Sequence, residues 1–183
     1  PISLTTYFCK LMEHILNKAI VNYLESNNLL YPKQHGFRGC LSTETQLAEI
    51  ANDFAGIIDS KLQAGAIFID FAKAFDHVPH SKLIAKLESL GINSKVIAWM
   101  SAYLTNRSQY VTLNNVDSDC LSVFSGVPRR SVLGPTLFLV YVNDISSCEE
   151  PGVTVRLFAN DCVIYTTICG IDDQYKTQFL FTK

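Results

Sequence analysis

Apolar positions along the chain recur at two periods, and the switches between them mark out its elements. From Lys10 to Leu24 the set Leu11, Met12, Ile15, Leu16, Ile20, Tyr23 and Leu24 follows three- and four-residue steps until Glu25-Ser26-Asn27-Asn28, which predicts a first helix. Thr43-Glu44-Thr45-Gln46 has the form of a capping box, and Leu47, Ile50, Phe54, Ile57, Ile58 and Leu62 continue a second helix toward Gly65. Ala66 to Phe71 is an apolar run of strand length that contains Asp70 where a buried strand would favour Val, so the strand is expected to open onto a site. Helices are predicted from Ser81 to Gly91 and from Ser94 through Leu104. Tyr110 to Leu113 and Leu121 to Phe124 flank the polar stretch 114–119 as a hairpin, and a helix follows from about Ser131 to Val142. Val153 to Phe158 and Cys162 to Thr166 form a second hairpin around Ala159-Asn160-Asp161. With no repeat and no flexible linker, these pieces read as one helix-rich α+β unit with an antiparallel sheet.

Composition narrows the class. The 183 residues are 48% hydrophobic and 17% charged, which excludes disorder as the main state. A net charge of −2 argues against binding a polyanion through bulk charge, so such a partner must be met locally. The basic residues available are Lys33, His35 and Arg38, then Arg107, then the pair Arg129-Arg130. The apolar stretch from Val132 to Val142 is interrupted by Gly134, Pro135 and Thr136 and is too short for a bilayer, so no membrane partner is expected. Six cysteines without a CxxC pair read as reduced intracellular thiols. Polar Ser3, Thr5, Thr6 and Lys10 replace a leader, and the absence of an initiating Met suggests a segment of a longer chain.

Candidate chemistry lies at two strand ends ninety residues apart (160 − 70): Asp70, and the Asn160-Asp161 turn. Carboxylates meeting there could hold a hard divalent cation, which takes oxygen ligands and is completed by water and substrate phosphates. Spacing alone leaves the bland reading open, in which Asp161 serves a turn and Asp70 caps a helix.

Five blocks carry a resemblance. PISLTTYFCKLMEHIL at the start, QHGFR (Gln34 to Arg38), FIDFAKAFDHVPH (Phe68 to His80), SGVPRRSVLGPTLF (Ser125 to Phe138) and FANDCVIY (Phe158 to Tyr165) resemble, in order and separation, the conserved blocks of reverse transcriptases of non-LTR, LINE-type retrotransposons. The resemblance covers nearly the whole chain. It implies the fingers and palm of a right-hand polymerase, an antiparallel palm sheet backed by helices, with about 1–65 fingers-like, 66–183 mostly palm, and the thumb outside the segment. It also implies RNA-templated DNA synthesis, two Mg²⁺ or Mn²⁺ ions, an RNA template, a DNA primer, deoxynucleoside triphosphates, and an intracellular location, nuclear or cytoplasmic.

Carried over by position, Asp70 and Asp161 resemble metal-binding palm aspartates, with Asn160 where the family typically has a third. Phe71 contributes mainly backbone to the nucleotide pocket. Phe75 sits where the family places the aromatic that crowds the sugar 2′ position, its alternative being a core aromatic. Arg38 is placed to touch phosphates, with a structural arginine as the alternative. Asp76, His77 and Pro79-His80 are expected to shape the turn after the strand, without chemistry.

Three positions depart from the family. FAND stands for FADD, removing one of three negative charges at the site. GVPRRS stands for GVPQGS, placing Arg129 near the incoming nucleotide and Arg130 where a glycine would serve close approach or positive φ, so that Arg130 is expected to crowd the pocket. Each change is one A/G transition from the family codon, which fits a decaying copy. The alternative function is therefore a catalytically dead, nucleic-acid-binding remnant.

Overall fold

The structure, a computed structural model, describes residues 6–170. The first five residues of the opening block and the chain beyond 170 lie outside the described residues. In chain order the elements are α1 (Tyr7–Ser26), α2 (Thr43–Asp59), β1 (Gln63–Asp70), α3 (His80–Ser89), α4 (Ser94–Leu104), β2 (Arg107–Gln109), β3 (Thr112–Leu113), β4 (Val116–Asp117), β5 (Leu121–Val123), α5 (Leu133–Val142), a 3-10 helix (Asn143–Cys148), β6 (Val153–Phe158) and β7 (Asp161–Ile168). Among the described residues no helix is long and apolar enough to cross a membrane.

The described residues form two compact units, one holding residues 6–30 with Ala72–Asn143, the other holding Tyr31–Phe71 with residues 144–170. The chain thus changes unit after Leu30, Phe71 and Asn143.

In the first unit α3 packs on α4 and α5, and α1 packs on α5. Helix α5 is apolar all round, and eight of its ten residues are buried. A buried helix start must still satisfy its free N–H groups, and Val132 at the N-cap offers no side chain for this. The fully buried Glu13 carboxylate of α1 does so, accepting from Val132 N at 2.6 Å and Leu133 N at 3.3 Å. Ser131 Oγ accepts from Gly134 N at 2.8 Å. The predicted start at Ser131 is thus a cap, two residues ahead of the helix.

The expected hairpin around 114–119 is two short ladders in succession, β2 with β5 and β3 with β4. Its tip is only Asn114-Asn115, both at positive φ (52° and 62°), the conformation a two-residue type I′ turn needs and Asn tolerates. Polar spacing alone made the tip look longer.

The second unit is a three-stranded antiparallel sheet, order β1-β7-β6, with α2 against it. Helix α2 is capped by Ser42, with Thr45 closing the box, one residue earlier than the sequence pattern suggests. It ends at Asp59, and residues 63–65 join β1 instead, a difference of register at both ends. One sheet face carries Val155, Leu157 and Cys162, which cluster with Tyr31 and with the half-buried Ile69, Phe71 and Ile164. The other carries Arg156 and Tyr165, which meet α2: Arg156 Nη2 donates to Asp53 at 2.7 Å, Arg156 also pairs with Glu49, and Phe54 meets the Tyr165 ring edge-on at 5.0 Å.

Buried His35 lies beside this network, Nδ1 2.9 Å from Thr45 Oγ1 and Nε2 3.6 Å from Glu49. Burial pushes its imidazole below the ordinary value, against the pull of Glu49. A depressed folded value means that its stabilisation is full above the unfolded value of about 6.5 and is lost as pH falls through the folded one. The urea midpoint is expected to drop between pH 7.5 and 5.5, by less than about 1.4 kcal/mol per pH unit, the limit for one proton. His35→Asn should flatten that drop; an unchanged pH profile in the variant would assign it elsewhere.

Candidate functional site

Strand β1 alternates along its length, with Ala64, Ala66, Phe68 and Asp70 exposed and the residues between them half-buried. Phe68 is 77% exposed, so this side of the strand is open to solvent at that position. Asp70 is therefore in phase with the exposed positions of β1, on the face whose Arg156 and Tyr165 meet α2. In the antiparallel register Asp70 pairs with Asp161. Directly opposed residues share a face with Cβ atoms roughly 4.5–5.5 Å apart, so the two exposed carboxylates stand side by side.

Phe158 also pairs with Asp161, so the loop between β6 and β7 is only Ala159-Asn160, and Asp161 opens β7 rather than lying in the turn. Ala159 takes φ 55°, a left-handed conformation that disfavours a Cβ by about 1–2 kcal/mol. Asn160 Nδ2 donates to Asp70 Oδ1 at 3.1 Å. A third carboxylate here would repel Asp70; the amide binds it instead.

The turn has a partner that the sequence pattern does not reveal. Residues 33–35 run beside β6, with Leu157 N donating to Lys33 O at 3.0 Å and His35 N to Leu157 O at 2.9 Å. This brings the buried Gln34 amide to Ala159: Nε2 donates to Ala159 O at 3.1 Å, and Oε1 accepts from Ala159 N at 2.9 Å and Gly36 N at 2.8 Å. Gly36 is required for this approach, because a Cβ there would lie 2.0 Å from Ala159 N. The QHG triplet is the only signal in sequence, and nothing in its spacing points to residue 159.

Phe71 is half-buried and packs against the core cluster. Arg38 Nη1 donates to Tyr31 O at 3.0 Å and Gln34 O at 3.4 Å, which ties the guanidinium to its own loop. Asp70, Asn160 and Asp161 are thus brought together in the second unit.

Phe75 and Arg129 lie in the first unit. Phe75 stacks on Phe138 with centroids 4.7 Å apart. Arg129 forks onto Asp76, Nε to Oδ1 at 2.9 Å and Nη2 to Oδ2 at 2.7 Å. Asp76 is thereby more than a turn-shaping residue. Its backbone is met at 2.8 Å by Ser125 Oγ, and a Cβ on Gly126, at φ 89°, would lie 2.8 Å from Asp76 Cα. Arg130 has φ 61°, a left-handed backbone that favours glycine, and its side chain is exposed. Within its unit the cost is backbone strain. Beside this loop a cleft of about 590 Å³ is lined by Lys73, His77, Arg107 and Arg129 together with Asp76 and exposed Phe124.

Asp70 and Asp161 are oxygen donors of the kind Mg²⁺ accepts, and Mg²⁺ commonly takes one or two carboxylates with waters and substrate phosphates. The pair fits such an ion. Among the described residues no group of three or more His, Cys, Asp or Glu converges, so the donor set ends at these two and the Asn160 amide.

An α+β unit with paired carboxylates beside a tight hairpin turn is a polymerase-like arrangement, and comparison with known proteins agrees. Residues 1–170 match the family of reverse transcriptases (RNA-dependent DNA polymerases), so the chain belongs to that family. Several of its relatives are RNA-directed DNA polymerases of mobile elements. It is 31% identical to the probable RNA-directed DNA polymerase from transposon X-element of Drosophila melanogaster, over 94% of this chain and 19% of that protein. It is 28% identical to the RNA-directed DNA polymerase from mobile element jockey of Drosophila funebris, over 91% of this chain and 19% of that one. The chain thus spans about a fifth of the length of these relatives. Its fold is similar to that of telomerase from Candida tropicalis, solved with a fragment of telomeric RNA, at TM-score 0.66 and 11% identity, covering 91% of this chain and 30% of the other.

Proposed function

We propose that this chain is the fingers and palm segment of a retrotransposon polymerase, about 1–65 fingers-like and 66–183 mostly palm, whose reaction is RNA-templated DNA synthesis. The observation that carries the reading is the register pairing of Asp70 with Asp161, both exposed at one end of the sheet. Asp70 and Asp161 hold Mg²⁺ or Mn²⁺, two ions in an active form, and Asn160 contributes at most a neutral amide oxygen. When bound, the metal supplies Lewis-acid stabilisation of the primer hydroxyl and of the leaving pyrophosphate. The protein's part is positional: β1 and β7 fix the carboxylates, and the loop carrying Gly126 and Arg129 borders a cleft whose Lys73, His77 and Arg107 suit the phosphates of template, primer or deoxynucleoside triphosphate. Primer extension on poly(rA) with oligo(dT) tests it, Asp70→Asn serving as the blank. Extension indifferent to Asp70→Asn sinks the assignment.

A second reading, a nucleic-acid-binding remnant without catalysis, is favoured by the Asn160 amide bound to Asp70 and by the docking of Arg129 on Asp76. Salt-dependent duplex binding without extension is its signature.

Phe75 is proposed to select the sugar, by crowding a 2′-hydroxyl. In a form restored to activity, Phe75→Val should raise ribonucleotide incorporation by about tenfold or more, as expected when a steric block of about 1–3 kcal/mol is lifted. Single-ribonucleotide extension measures this, and an unchanged deoxy-to-ribo ratio would leave Phe75 as a stacking partner of Phe138.

A further inference from the structure

We propose that Gln34 and Gly36 are positioning residues for the Asp70 and Asp161 carboxylates, acting through the backbone of Ala159. The proposal rests on the reading of that pair as the metal-holding site.

Ala159 sits at φ 55° with no glycine to make that conformation easy, so something outside the hairpin must hold it. Gln34 is 3% exposed, and both heteroatoms of its amide bond to Ala159, the oxygen accepting from its N–H and the nitrogen donating to its carbonyl. A single side chain thus satisfies both backbone groups of one residue, as a neighbouring strand would. The third bond, from Gly36 N to the same oxygen, fixes the amide's orientation. Gly36 closes the approach from the other side, with no room for a methyl group. Asn160, which donates to Asp70, and Asp161, which pairs with it, are the next two residues along the chain. Wherever Gln34 and Gly36 hold Ala159, those two follow. Displacements of about 1 Å at a site of this kind can cost about 100-fold in rate, so a clamp on the turn bears on chemistry as well as on folding.

The test uses the whole chain and Mn²⁺ as the probe. Gln34→Met keeps the side-chain length but removes all three hydrogen bonds; Gly36→Ala pushes the turn by contact alone. Each is expected to weaken Mn²⁺ binding by about tenfold, the scale of an outer-shell change at a metal site. Adding Ala159→Gly to Gln34→Met should recover much of the loss, since glycine takes positive φ without a clamp. A role in stability alone would lower the melting temperature and leave the Mn²⁺ affinity of the folded protein unchanged, and that result overturns the proposal. The NMR signal of the Asn160 side-chain amide, read without metal, is the second measure. It should move toward a solvent-exposed amide in both variants, and a signal that stays in place also overturns the proposal. If Asp70→Asn leaves Mn²⁺ binding untouched, it is the metal reading that falls, and the amide signal decides the clamp by itself.

Discussion

Asn160→Asp is expected to tighten Mn²⁺ binding by about tenfold or more while lowering the melting temperature of the metal-free protein. Both follow from one contact. Asn160 Nδ2 donates to Asp70 Oδ1 at 3.1 Å, with Asp161 paired to the same residue across the ladder. A carboxylate at 160 loses that hydrogen bond and adds a third negative charge; two charges about 4 Å apart interact by roughly 1 kcal/mol in water and up to about 4 kcal/mol near a protein surface. Without cation this is repulsion, and with cation it becomes attraction. Melting curves with and without Mn²⁺, and isothermal titration, read the two halves separately. Equal affinities in the two forms would show that position 160 takes no part in binding.

On the proposed reading, extension activity requires more than this charge. Arg130 has φ 61°, so Arg130→Gly relieves backbone strain of about 1 kcal/mol, while Arg129→Gln releases Asp76 from its fork. Faults that act on one catalytic step are strongly non-additive. Asn160→Asp alone should therefore stay nearly inactive, and the triple variant should recover far more than the separate repairs predict. Single-turnover extension on poly(rA) and oligo(dT) decides it. If the single change restores as much as the triple, the arginine pair is tolerated.

What was legible in the sequence is what local pattern controls. The helices over 10–24 and 94–104, and the 153–166 hairpin, follow from spacing and breaker residues, with ends displaced by a few positions because caps such as Thr6 and Ser42 are set by backbone geometry. Asp70 stood out because a carboxylate in an apolar strand needs a reason. Its pairing with Asp161 could not be read, since register is fixed by the whole ladder. Contacts spanning long stretches of chain were the least visible: Gln34 with Ala159, Glu13 with the start of α5, and Asp76 with Arg129 all join residues that no periodicity relates. One further signal does stand in the sequence. Arg156 interrupts the apolar run VTVRLF, and a buried guanidinium demands anionic partners.

Those partners make Arg156→Met the substitution with the largest expected effect on stability. The guanidinium, its side chain 8% exposed, donates to Asp53 Oδ2 from Nε at 3.2 Å and Nη2 at 2.7 Å, to Tyr165 Oη at 2.7 Å, and to Glu49. Tyr165 in turn donates to Asp53. Removing one member of a fully buried pair costs about 3–5 kcal/mol, because the remaining charge is stranded. Here the Asp53 and Glu49 side chains keep 32% and 49% exposure, so water recovers part of the loss, and roughly 2–3 kcal/mol is expected. Arg156→Met with Asp53→Leu and Tyr165→Phe removes the network together and should recover most of it. Acid adds a second measure. Burial alone would raise the Asp53 carboxyl, but the Tyr165 hydroxyl and the Arg156 guanidinium hold it below the ordinary value. Its stabilisation is therefore present above about pH 4, the unfolded value, and lost as pH falls through the folded one. Urea midpoints at pH 7 and pH 3 should converge between Arg156→Met and the parent, because acid removes from the parent part of what the substitution has already taken. A gap at pH 3 as wide as at pH 7 would show that Arg156 acts through packing of its stem and not through Asp53.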